Sequence, residues 1–195
     1  MRLNDEGYSL IEILLVVALG AVLSAIAIPT ASNALGGLRL TGDARGVSAA
    51  VAMAKMRAAS DFSRARLYVD VSTSRHHLET YQKTGTPGWV TEGGETPLSQ
   101  GVSLGFGALS SPPPNTQAAI GQAPTCLSNS GTAIANTACV VFNSRGIPID
   151  ATGAPTAAAA VYVTDGKTVF GVTVAANGMS QLWKSPAPTA AWTRQ

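Results

Sequence analysis

The stretch "GYSLIEILLVVALGAVLSAIAIP", residues 7–29, decides how the chain is read. Tyr8 to Ile28 is 21 residues, about 31 Å as a helix. That matches a hydrocarbon core of about 30 Å. Leu, Ile, Val and Ala dominate the run, and Pro29 removes a backbone donor and marks a kink or a boundary. Its one charge is Glu12. A carboxylate in a membrane costs about 2.5–3.5 kcal/mol on insertion scales, so a partner or a function is the default reading. A secretory signal peptide competes, since "SAIAIPTAS" at residues 24–32 holds an A-x-A-like cleavage candidate. Its near end does not fit. Only Arg2 is basic there, Asp5 and Glu6 adjoin the run, and a plain signal peptide has no use for Glu12.

Composition is that of an extracytoplasmic chain. The 195 residues suffice for one membrane helix and one domain of about 130 residues with a modest core. Net charge is +2, or +3 without residues 1–7, too weak to imply nucleic acid by itself. Only 12% of residues are charged, and Gly, Ala, Ser and Thr are plentiful without the bias of a disordered chain. Cys126 and Cys139 are separated by twelve residues with no CxxC or CxxH pattern, which argues against zinc. Outside the cytoplasm they would form a disulfide, with two buried free thiols as the alternative.

From Pro29 to Ser60 apolar residues Leu35, Leu38, Val47, Val51, Ala54 and Ala58 recur at near-helical spacing, weakened by Gly36, Gly37, Gly42 and Gly46. One long helix is predicted, extending the membrane segment. After Asp61 the period shifts toward two. In "RARLYVDVS", Leu67, Val69 and Val71 share one face. "HHLETYQ", "PGWVTEG", "GVSLGFG", "CVVFNSRGIPID", "AAVYVTDG" and "KTVFGVTVAANGMSQLWK" supply further strands. Asp165-Gly166 and Asn177-Gly178 are hairpin signals. "SSPPPNTQAAIGQAPT" is a loop, because three prolines exclude a central strand. The expected fold class is α+β: a long N-terminal helix packed on an antiparallel sheet. Expected boundaries are a leader at 1–7, a membrane helix at 8–28, a helical extension at 29–60, a β-rich domain at 61–185 and a loose tail at 186–195.

A short polar leader, then Gly7, Tyr8, Ser9, Leu10, Ile11 and Glu12, then an apolar run to Pro29, resembles the class III signal of type IV pilins and type II secretion pseudopilins. The resemblance implies cleavage by prepilin peptidase between Gly7 and Tyr8, and N-methylation of Tyr8. It makes Glu12 the fifth mature residue, facing the Tyr8 ammonium of a neighbouring subunit and fixing axial registry. Tyr8 replaces the usual phenylalanine, and the leader is less basic than the family's. The later segments resemble the GspH/FimT group of minor pilins and pseudopilins. The matching positions are "AKMRAASDFSRARLYVDV", "GWVTEGGETPLSQGVSLGF", Phe142, Gly146, Gly153, Val161–Val163, Gly166, Val172, Val174 and Gly178.

Other chemistry is weakly signalled. "GVSLG" around Ser103 matches a nucleophile elbow, but no His follows it and its flanks read as strand. His76 and His77 would point to opposite faces of a strand, with no acidic or Cys cluster to complete a metal site. No phosphate or dinucleotide fingerprint is present, and no cofactor is expected. Arg39, Arg45, Lys55, Arg57, Arg64, Arg66 and Arg75 outnumber Asp43, Asp61 and Asp70. Some members of the resembled group bind DNA through a "GRxR"-like motif. The matching Gly178-Met179-Ser180-Gln181 lacks both arginines, so Arg57, Arg64, Arg66 and Lys184 offer weak DNA contact at most.

The expected function is non-enzymatic: a minor pilin or pseudopilin in the bacterial inner membrane, with its C-terminal domain in the periplasm. It would be built through its N-terminal helix into a type IV pilus or a type II secretion pseudopilus. Its partners would be prepilin peptidase and other pilins. A DNA-binding pilin of natural transformation and a membrane-anchored periplasmic enzyme are the alternatives.

Overall fold

The computed structural model describes residues 9–157 and 159–195. The chain divides into two compact units, Met1–Leu38 and Arg39–Gln195. Helix α1 runs over Leu10–Ser60, through Pro29. In the first unit, Leu10–Ile28 is long and apolar enough to cross a membrane, with a mean hydropathy of 2.7, and none of it is buried. Ser24 Oγ donates to Gly20 O at 2.8 Å, so this hydroxyl is satisfied within the helix, as a lipid environment demands.

In the second unit, α1 turns a stripe of Leu40, Ala44, Val47, Val51, Ala54 and Ala58 into the core. The spacing of four, three, four, three, four is that of one helical face. The expected stripe included Leu35 and Leu38, which are exposed. Val47 lies nine positions after Leu38, which is half a turn out of phase at about 100° per residue. Leu40 and Ala44 take their place. Beyond Ser60 the chain turns out of the helix through Phe62, whose φ of 47° is left-handed, with Ser63 N–H donating to Ala58 O at 3.1 Å. This is the usual way to satisfy the last carbonyls of a helix. Arg57 in the last turn complements the dipole.

Ten strands follow: β1 (Ala65–Asp70), β2 (Arg75–Gln82), β3 (Gly88–Pro97), β4 (Ser103–Leu104), β5 (Thr137–Phe142), β6 (Pro148–Ile149), β7 (Ala159–Thr164), β8 (Thr168–Val174), β9 (Ser180–Pro186) and β10 (Thr193–Arg194). They form two five-stranded sheets instead of the single sheet expected, ordered β3-β2-β1-β5-β6 and β10-β9-β8-β7-β4. Every pairing is antiparallel, so the α+β class stands. Leu67, Val69, Val140 and Phe142 of the first sheet join Val161, Val163, Phe170 and Val172 of the second under the helix stripe, in one core.

A second, smaller core lies around Tyr162, Val169 and Leu109, with Phe106 and Trp192 packed against it. Tyr162 faces Gly171 across the β7–β8 pair, and a Cβ there would strike the Tyr162 ring. Burial raises the Tyr162 pKa, and its hydroxyl donates to Gln117 Oε1 at 2.7 Å. Residues 186–195 are not a loose tail. β10 pairs with β9, and Trp192 Nε1 donates to Ser111 O at 2.9 Å. An aromatic at that point has core to cover.

Candidate functional site

Gly7 and Tyr8 lie outside the described residues. Glu12 sits exposed in the first turn of α1, where unpaired N–H groups favour a carboxylate. Its N–H donates to Ser9 O at 3.0 Å. Around it, Leu10, Ile11, Ile13, Leu14 and Leu15 are all more than half exposed. Apolar surface of that extent calls for lipid or for other helices.

The other predicted residues fall on the second unit. Cys126 and Cys139 form a disulfide. In the entropic view, closing a loop of this size contributes about 3 kcal/mol. It anchors the segment 126–136 to the face of the first sheet turned away from α1. On that face β1 and β2 present Arg66, Tyr68, His77, Glu79 and Tyr81, because Arg66 pairs with Glu79 and Tyr68 with His77 in register. Trp89 of β3 lies opposite Tyr81.

Arg66 is 3% exposed. It ion-pairs through Nε with Glu79 Oε2, donates through Nη1 to Leu127 O at 2.7 Å, and lies 4.1 Å over the Trp89 ring. Burial lowers its pKa, with Glu79 opposing that shift. His77 stacks on Tyr68 at 4.6 Å and meets Glu79 Oε1 at 3.2 Å. Arg64 is exposed and lies 4.1 Å over the Tyr81 ring. Asn129 Oδ1 accepts from Trp89 N–H at 2.7 Å. The cystine segment thereby encloses a cleft of about 260 Å³ between itself and the arginine–aromatic ladder.

The four arginine and lysine candidates are not one patch. Arg57 is paired with Glu92 and Arg66 with Glu79. Lys184 stands on the second sheet, 5.7 Å from the Phe170 ring. Arg64 and Lys184 have no carboxylate partner among the described residues, and they stand apart, Arg64 directly before β1 of the first sheet and Lys184 in β9 of the second. Sequence reasoning missed Glu79, Tyr81, Trp89 and Asn129. Alternation put Arg66 with Tyr68, and Glu79 with Tyr81, on one face each. Only strand register brings the two sets together.

His76 points the other way, toward α1, and is 6% exposed. Among the described residues its Nδ1 has no hydrogen-bond partner. Burial lowers its pKa, the Asp43 carboxylate opposes that, and His77 adds to it. Ser103 lies in β4 opposite Thr164, in strand context. Among the described residues no three His, Cys, Asp or Glu groups gather as metal ligands.

Residues 2–28 match the family model of the prokaryotic N-terminal methylation motif. The match is confined to the N-terminal segment that carries Gly7, Tyr8 and Glu12. Two solved structures are similar to the chain, both of the minor pseudopilin EpsH from the type 2 secretion system of Vibrio cholerae. One is 15% identical with a TM-score of 0.47, covering 77% of this chain and 99% of that one. The other is 14% identical with a TM-score of 0.47, covering 77% and 96%. No curated protein matches the chain.

Proposed function

We propose that the chain is a structural minor pilin or pseudopilin, cut by prepilin peptidase between Gly7 and Tyr8 and N-methylated at Tyr8. Its apolar helix anchors it in the bacterial inner membrane, with the domain from Arg39 onward in the periplasm. From there it enters a type IV pilus or type II secretion pseudopilus through that helix, in an initiating or tip position. The observation that carries this reading is the methylation motif over residues 2–28, overlapping an apolar helix over Leu10–Ile28 with none of its described residues buried. Glu12 acts as the registry group. In a low dielectric its charge is costly alone and is relieved by a neighbour's Tyr8 ammonium. The pairing of Arg57 and Arg66 with glutamates counts against the DNA-binding alternative, since phosphate contact needs free cations. Mass spectrometry of the mature chain tests the proposal. N-methylated Tyr8 is the expected terminus, and cleavage near Ile28 would reject it.

A further inference from the structure

We propose that the cleft under the cystine segment is a recognition site for an acidic side chain, Asp or Glu flanked by apolar residues, on an extended segment of a partner protein. The proposal is independent of filament assembly through the apolar helix.

Charge selects the ligand. Arg66 is neutralised by Glu79. Asp150, at the rim, stays ionised, but its Oδ1 is held in its own turn by Thr152 N at 2.9 Å, Thr152 Oγ1 at 2.7 Å and Ala154 N at 3.0 Å, and it pairs with neither arginine of the cleft. Among the described residues Arg64 is left as the one guanidinium of the cleft without a carboxylate. Its guanidinium lies over the Tyr81 ring, a contact that steadies a group able to meet a carboxylate bidentately. A single available cation suits a monoanion.

Size and lining narrow it further. About 260 Å³ falls below the roughly 300–1,000 Å³ of small-molecule sites and suits one or two side chains. Leu127, Val141 and Ile149 supply apolar wall. Nucleic acid fits less well. Arg64 lies over the Tyr81 ring, and Arg66 over Trp89, so a stacking base would have to displace a guanidinium, and a run of phosphates would meet one free cation.

The cleft is preformed, which lowers the ordering cost of binding. Asn129 sits where a Cβ on Gly88 would be, and from there it holds the Trp89 N–H. Leu127 O holds Arg66, and the disulfide ties the same segment to β5.

The test titrates the full chain in detergent micelles with the blocked peptide acetyl-Ala-Leu-Glu-Leu-Ala-amide and with its Gln counterpart, following tryptophan fluorescence and the Trp89 and Arg64 side-chain NMR signals. The Glu peptide should bind at least about tenfold more tightly than the Gln peptide and shift both signals. Arg64→Gln should erase that preference, Arg64→Lys should keep part of it, and Gly88→Ala should weaken it by displacing Asn129. Thermal unfolding of each variant checks that the fold is kept, and Arg64 is exposed enough for that to be expected. Equal binding of the two peptides, an unchanged preference in Arg64→Gln, or no binding at millimolar peptide would overturn the proposal. So would a single-stranded oligonucleotide that binds tightly at this cleft and excludes the peptide.

Discussion

Gly178, in the β8–β9 turn, lies so close to Gly146, in the β5–β6 turn, that a Cβ on Gly178 would overlap the Gly146 carbonyl oxygen. Lys55 of α1 closes the junction. Its Nζ donates to Gly178 O at 2.9 Å, and its stem fills the space beside Gly146. Helix and both sheets meet at this point. Gly178 also has a φ of +77°, which costs a side-chain-bearing residue about 1–3 kcal/mol. Gly178→Ala should therefore destabilise by at least that amount, since the obstructing atom is backbone and cannot rotate away. Urea unfolding measures it; a loss under 1 kcal/mol would show that the turns can separate freely.

The Arg66–Glu79 pair makes a second prediction. Glu79→Gln leaves a buried guanidinium without its counter-charge, at a cost of about 3–5 kcal/mol. The double variant Arg66→Met with Glu79→Leu should be less damaging than Glu79→Gln alone, because no charge is then stranded. A double-mutant comparison by thermal unfolding decides it, and a more damaging double variant would contradict the argument.

His76 sets a pH dependence. Its folded pKa lies below the unfolded value of about 6.5, so the unfolded chain binds the proton more readily. Stability from keeping this ring neutral is complete above pH about 6.5 and is lost as pH falls through that value toward the folded pKa. Asp43 and His77 are the charged groups acting on it. His76→Leu should flatten the acid limb of the stability–pH curve. Curves of identical slope for both proteins would exclude His76 as its cause.

Glu12→Ala addresses the filament. Removing a membrane charge should leave insertion unchanged or improve it, while incorporation into filaments falls. Quantifying the variant in sheared filaments against the membrane pool checks this, and equal incorporation would remove the registry role.

Much of this was legible in the sequence where the period was strong. Leu67 and Val69 marked the inner face of β1, and Asp165-Gly166 and Asn177-Gly178 marked the turns on either side of β8. The apolar run with Glu12 carried the N-terminal signal without help from structure. Legibility failed where partners are distant in the chain. Arg57 and Arg66 read as free bases because Glu92 reaches the first only through helix–sheet packing and Glu79 the second only through strand register. The single expected sheet became two because nothing local says that β4 pairs with β7 while β1 pairs with β5. Trp192 was placed in a tail, since the small core it covers is built from residues remote in sequence.

The order in which the strands visit the two sheets bears on how the domain comes into being. β1–β3 belong to the first sheet, β4 to the second, β5 and β6 to the first again, and β7–β10 to the second. β1 waits for β5 on its far side, and β4 has no partner until β7 exists. A chain growing from its N-terminus therefore cannot settle hairpin by hairpin into finished layers. The apolar stripe of α1 is only partly covered until β7 and β8 supply Val161, Val163, Phe170 and Val172. Pairings so remote in sequence also slow closure. Until β7 is available the domain is an open, adhesive intermediate, and any factor that shields it must act before residue 164 has been made.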